Sequence, residues 1–300
     1  MPAIPHEGND FVSSLGPRFP LDWSRDRSFN HPAWISDRSW RRPVFQAQIA
    51  LRKEAGTAMT GKTAGIRSSV GRLAVRLGVD RMIPPDEHLL FTQDREFHDI
   101  YARALQASGS YDAKRRKSRN YNMIGMLALT RNLEGEVAEA GCYKGMSSFL
   151  ICHYLKKADA GFTGKGFGIF DSFEGLSAPA AEDGDIGRHK GRYASTLEHV
   201  ARTLSEFPDI AFHKGWIPDC FPDDAAVRYR FVHIDVDLYQ PIMDCLAYFW
   251  PRMTRGGIIA FDDYGSMSFP GAKKAVDEFC ERESIPVAHF STMNAMIIKP

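Results

Sequence analysis

A chain of 300 residues, 44% hydrophobic and 25% charged, is long enough to bury a full core and suits one or two globular domains. Its net charge of +1 gives no electrostatic footprint for nucleic acid, and it contains no apolar run of the ~18 residues that a membrane span needs. The five cysteines are odd in number and lack CxxC spacing, so they read as reduced side chains of a cytoplasmic protein, not as disulfides or a zinc site.

In chain order, the first forty residues are rich in Pro, Ser, Arg and Trp, with no helical or strand period and no basic-then-apolar leader. A weakly helical pattern from Pro43 to Leu77 follows, broken by a Gly/Thr/Ser-rich stretch. Residues 1–85 are therefore expected to be an N-terminal extension, partly disordered, that carries Trp23, Trp34 and Trp40. Residues 1–118 hold roughly 19 Lys and Arg against 13 Asp and Glu, so the basic character sits at this end. Asp86 to Ala107 reads as one or two helices, with Leu90, Phe97, Ile100, Tyr101 and Leu105 near helical spacing. The cluster Lys114-Arg115-Arg116-Lys117 reads as a solvated face, ahead of a helix expected over Asn122–Leu133. These helices form a lead-in (86–134) to a core over 135–300, and together they make the expected catalytic domain.

From Gly135 onward, apolar runs alternate with helical segments. The strands are expected at 136–141, 166–171, 210–215, 229–235, 257–263, 286–291 and 294–300. Strands alternating with helices imply a parallel sheet covered on both faces, an α/β fold of Rossmann type. The last two strands lie too close for a crossover, so they must form an antiparallel hairpin. Ligands of such sheets bind beyond the C-terminal ends of the strands, where the chemistry should be sought.

The first strand opens into Glu139-x-Gly141-x-x-x-Gly145-x-Ser147-Ser148. Gly141 and Gly145 allow a backbone to approach closely at a strand-to-helix turn, and the helix start offers N–H groups to an anion. This is not the GxGxxG of a dinucleotide fold. Glu139 suits the amino group of a methionine moiety, and Ser147 suits its carboxylate. Asp171, at the end of the second strand and followed by Ser172, is placed to accept ribose hydroxyls, although a helix N-cap is the plain alternative. Gly215 and Trp216 after the third strand could hold an adenine ring, while core packing is the rival reading for Trp216. Asp235 closes the fourth strand, and Asp262 and Asp263 close the fifth. Neighbouring strands lie about 4.8 Å apart, so these carboxylates converge, and their repulsion is relieved by a hard divalent cation, Mg²⁺ first. His233 reads as a packed core histidine. Asp237 stays open between base, supporting residue and surface, and the polar loop 178–193 between lid and solvated loop.

The runs EAGCYKGMSS, FDSFEGL, HIDVDLY and GGIIAFDDYGSxSFPGA resemble the macrocin O-methyltransferases over roughly residues 119–300. The resemblance implies S-adenosylmethionine and Mg²⁺ as cofactors, with Asp235, Asp262 and Asp263 as metal ligands and Asp235 as a general base as well. It also implies a small-molecule hydroxyl acceptor, a sugar moiety of a natural product or glycan, with homodimerisation left open. A phenolic or catechol acceptor, a glycolipid acceptor, and a non-catalytic S-adenosylmethionine-binding role are the rival expectations.

Overall fold

The computed structural model describes residues 90–112 and 114–300. The extension expected over 1–85, with its three tryptophans, lies outside the described residues. Two helices lead in. The first, α1 (Arg95–Ser108), starts at Asp94, whose carboxylate accepts the Phe97 N–H at 2.9 Å, and stops at Gly109 in the left-handed region. Its buried residues Phe97, Tyr101, Ala104 and Ser108 recur at helical spacing and form its inner face.

The second helix, α2 (Lys114–Leu129), differs from the expected Asn122–Leu133 at both ends. It begins inside the basic cluster, because Lys and Arg are good helix formers and long side chains can lie along the surface. After Leu129 the chain tightens into turns, with the Thr130 N–H bonded to the Leu127 carbonyl at 3.0 Å. Met123, Met126 and Leu127 make its buried stripe.

The core then alternates strand and helix: β1 (Glu136–Ala140), α3 (Met146–Ala158), β2 (Phe167–Asp171), α4 (Leu197–Thr203), β3 (Ala211–Lys214), β4 (Tyr229–Ile234), α5 (Tyr239–Phe249), β5 (Met253–Phe261) and α6 (Pro270–Glu283). It closes with β6 (Ala288–His289) and β7 (Ala295–Ile298). The seven strands form one sheet in the order β3-β2-β1-β4-β5-β7-β6. β7 runs antiparallel to both of its neighbours and the other pairings are parallel, as the short final connection requires. β6 spans two residues where six were expected, and five residues separate it from β7. That longer turn takes Asn294 out of the ladder and brings it to Asp262 at the end of β5. Among the described residues, no helix is long and apolar enough to cross a membrane.

Each face of the sheet carries its own apolar layer. One packs α5 and α6 against residues such as Val232, Ile234, Ile259 and Phe261. The other packs α1, α2 and α3 against Val137, Phe167, Ile169 and Phe231. With both faces covered, the strands must be apolar along nearly their whole length, which is why they read as continuous runs. Just past the end of β1, Gly141 sits at φ +80° with the Asp235 carbonyl so close that a Cβ would lie 2.0 Å from its oxygen. The topological switch opens a crevice over β1 and β4.

Candidate active site

One cavity lies over the C-terminal edge of the sheet and draws on every strand end from β1 to β5. Of the residues singled out from sequence, Gly141, Ser147, Asp171, Ser172, Trp216, Asp235, Asp262 and Asp263 line it. Glu139, Gly145 and Gly215 do not.

Glu139 was expected to meet an amino group, and the structure gives it a different place. It is fully buried. One oxygen takes the His233 Nδ1 contact at 2.8 Å, and the other accepts a short hydrogen bond from the Ser148 hydroxyl. The physical reason is register: Glu139 pairs with His233 across β1 and β4, so both side chains leave the sheet on one face. Burial alone would lower the His233 pKa, but the Glu139 carboxylate outweighs it and raises it to about 9. His233 reaches the cavity, and its Nε2 is buried without a protein partner. It is more than the packed core histidine expected from sequence. Gly145 and Gly215 shape the walls instead. Gly145 caps α3 at φ +78°, where a Cβ would press on Val200 at 3.1 Å, and the Gly215 N–H bonds the Asp171 carbonyl at 3.0 Å.

Asp171 organises the crevice. One oxygen accepts the Cys142 and Tyr143 N–H groups at 2.8 and 3.3 Å, and the other accepts the Phe173 N–H at 2.7 Å. It ties the β1 and β2 turns together while facing the cavity. Trp216 keeps 39% of its surface exposed and so is not a core residue; its ring is free to stack. Burial, then the Asp171 and Glu139 carboxylates, push the Cys142 thiol well up, so it is no nucleophile despite lining the cavity.

The acidic end of the cavity holds four aspartates. Oxygens of Asp235, Asp237 and Asp263 all lie within 4.8 Å of one another. Asp262, which the sequence put in this group, is engaged elsewhere. Arg119 from α2 pairs with its Oδ2 at 2.6 Å, and the Asn294 amide donates to its Oδ1 at 3.3 Å. The same guanidinium nitrogen donates to Asp263 at 3.3 Å. Desolvation is the first cause that raises the pKa of Asp235, Asp237 and Asp263, and the neighbouring carboxylates raise each further. Arg119 is held in its charged form: burial opposes it, but all four aspartates outweigh that. An all-oxygen set of three carboxylates within 4.8 Å of one another, each pushed toward its protonated form by burial and by its neighbours, fits a hard divalent cation.

The loop after β2 is anchored at a few buried residues and exposed along most of its length. Its ends close on each other, with Leu176 N–H to the Arg192 carbonyl at 2.8 Å and Gly191 N–H to the Leu176 carbonyl at 2.9 Å. Asp183 is fully buried and accepts the Ala180 and Tyr239 N–H groups, both at 2.8 Å. This is a compact Ω-loop bolted to the start of α5. It brings Tyr193 to the cavity rim, edge-on to Tyr143 at 5.6 Å.

Sequence reading passed over Arg119, Asn294 and Tyr193. Arg119 left a faint signal, since it lies four residues before Met123 on the buried stripe of α2, where a charge needs a partner. The other two left none.

Sheet order, the β1–β4 crevice and the acidic strand ends together define a Rossmann-like methyltransferase fold. The model of the macrocin-O-methyltransferase (TylF) family matches residues 112–295, and the chain belongs to that family. Among curated relatives it is similar to the 8-demethyl-8-(2,3-dimethoxy-α-L-rhamnosyl)-tetracenomycin-C 4'-O-methyltransferase of Streptomyces olivaceus. The two are 28% identical over 167 residues, 52% of this chain and 62% of the relative. It is also similar to the mycinamicin III 3''-O-methyltransferase of Micromonospora griseorubida, 27% identical over 53% of this chain and 65% of the relative. The chain thus matches about six-tenths of the length of these relatives. Two solved structures share the fold. The O-methyltransferase NovP has a TM-score of 0.53 at 22% identity, over 60% of this chain and 79% of its own. The calicheamicin methyltransferase CalS11 has a TM-score of 0.55 at 16% identity, over 67% and 91%.

Proposed function

We propose that residues 86–300 form a catalytic domain that methylates a hydroxyl of a sugar-like small molecule, using S-adenosylmethionine and a divalent cation, Mg²⁺ first. The observation that carries this reading is a single cavity in which the Gly141–Asp171 crevice adjoins the carboxylates of Asp235, Asp237 and Asp263. The tetracenomycin relative acts, by its name, on a rhamnosyl-bearing natural product, which supports a sugar-like acceptor over a phenol.

In this reading Asp171 and Ser172 bind the ribose, Trp216 stacks on the adenine, and Gly141, Ser147 and the start of α3 receive the methionine end. A bound cation would polarise the acceptor hydroxyl and lower its pKa. The acceptor oxygen then forms its bond to the methyl carbon as the carbon–sulfur bond breaks. The electron pair stays on sulfur, and the hydroxyl proton passes to a carboxylate. Asp235, at the end of β4 beside Asp237 and Asp263, is placed to take that proton as well as hold a cation. Asp237 is the second reading for the base: it is a non-glycine residue at φ +61° in the mouth of the site, and such backbone outliers cluster where position is functional.

The test is transfer of labelled methyl to sugar and glycoside acceptors, with and without chelator. Asp235→Asn and Asp237→Asn should each lose at least about a hundredfold in rate, the lower range for a general base. Full activity in chelator refutes the cation, and no transfer to any hydroxyl acceptor refutes the reaction.

A further inference from the structure

Among the described residues, four carboxylates meet at the ends of β4 and β5, and one cation not already paired elsewhere reaches them. His233 is committed to Glu139. Arg119 is largely buried and bridges Asp262 and Asp263 with one guanidinium nitrogen, and its Nε has no protein partner. The Asp262 end of the bridge is fixed from behind. Asn294 donates to Asp262, Thr292 donates to Asn294 at 3.0 Å, and the Asn122 amide of α2 donates to Thr292 at 2.6 Å. Helix α2 therefore reaches the acid cluster twice, once by charge and once through this relay.

We infer that Arg119 is a resident counter-cation of the acid cluster, and that a divalent cation binds these carboxylates in competition with it. The inference rests on the reading of Asp235, Asp237 and Asp263 as cation ligands, and it adds a positioning residue from outside the strand ends. A guanidinium is always charged, so it neutralises the cluster at any working pH. Its contact with Asp263 ties up an oxygen of one proposed ligand, and its positive charge repels an arriving dication. Its hold also ties up an oxygen of Asp262. An incoming cation must therefore either displace Arg119 from Asp263 or bind beside it against its field. In both cases, removing the positive charge strengthens binding.

The experiment measures Mn²⁺ affinity by calorimetry or electron paramagnetic resonance, on full-length wild type, Arg119→Gln and Arg119→Lys, with melting curves in chelator and in Mn²⁺. Arg119→Gln should bind Mn²⁺ about tenfold more tightly or better, since a unit charge a few ångströms from the site is removed. In chelator it should melt lower than wild type, and its rise in Tm on adding Mn²⁺ should be the larger. Arg119→Lys keeps the charge but loses the planar fork, so it should fall between the two. That variant carries the test by itself if Arg119→Gln does not accumulate as folded protein. Mn²⁺ binding to wild type that neither variant improves overturns the inference and leaves the cation reading standing. No Mn²⁺ binding to any of the three proteins overturns both.

Discussion

Gly141→Ala is the sharpest probe of how the fold makes the site. A methyl at this position would lie 2.0 Å from the Asp235 carbonyl oxygen and 2.7 Å from its carbon, against backbone and not the end of a flexible side chain. Carbon and oxygen in contact want more than about 3 Å, so β1 and β4 must part by about an ångström. The residue also sits at φ +80°, where an L side chain costs roughly 1–2 kcal/mol, and overpacking adds about 1–3 kcal/mol. A total near 4 kcal/mol corresponds to about 8–16 °C in Tm for a domain of this size. The strain falls on the residue that carries Asp235, so cation and nucleoside binding should weaken beyond what lost stability explains. Differential scanning calorimetry in saturating S-adenosylhomocysteine, with Mn²⁺ titration at a temperature where the variant is folded, reads both effects. A variant within about 2 °C of wild type and with unchanged Mn²⁺ affinity would falsify the close β1–β4 approach as the organising feature of the crevice.

Other perturbations follow from the same geometry. His233→Leu leaves Glu139 charged and buried with only Ser148 as a partner, and should cost about 3–5 kcal/mol in urea unfolding; the double variant with Glu139→Leu should recover much of that. Asp183→Ala frees the Tyr239 and Ala180 amides and unbolts the loop. Amide exchange over residues 178–193 should rise, while the sheet amides stay protected. Stability in chelator should fall as pH rises. The folded-state pKa values of Asp235, Asp237, Asp263 and His233 are all raised, so the folded protein holds protons that the unfolded chain releases. That stabilisation is complete below the unfolded values and is lost as pH passes through the folded ones, up to about 9 for His233. Saturating Mn²⁺ should flatten or reverse the slope, because cation binding releases those protons. A Tm that climbs with pH in chelator would contradict the assigned burial of the cluster.

Much of this protein is settled by local sequence. Short apolar runs such as Phe167–Ile169 and Ile258–Phe261, bounded by glycine and turn residues, suit strands buried on both faces, and their alternation with helices implies the parallel sheet. A strand end is local too, so the amino-acid order by itself places Asp171, Asp235, Asp262 and Asp263 at one edge. It does not say which groups those aspartates face. Arg119 is 143 residues from Asp262 along the chain and Asn294 is 32, and no periodicity links a helix in the lead-in, or a turn after β6, to the end of β5. Glu139 shows the same limit at closer range. Its position in the motif is local, but its direction is set by the register of β1 on β4, which puts His233 beside it and Ser148 above it. A parallel pairing joins segments almost a hundred residues apart, and only packing of both layers fixes that register. Sequence therefore determined which chemical groups reach the functional edge. Tertiary structure decided how they share charge: oxygens of Asp235, Asp237 and Asp263 come within 4.8 Å of one another, while Asp262 and Asp263 share an arginine from another part of the chain.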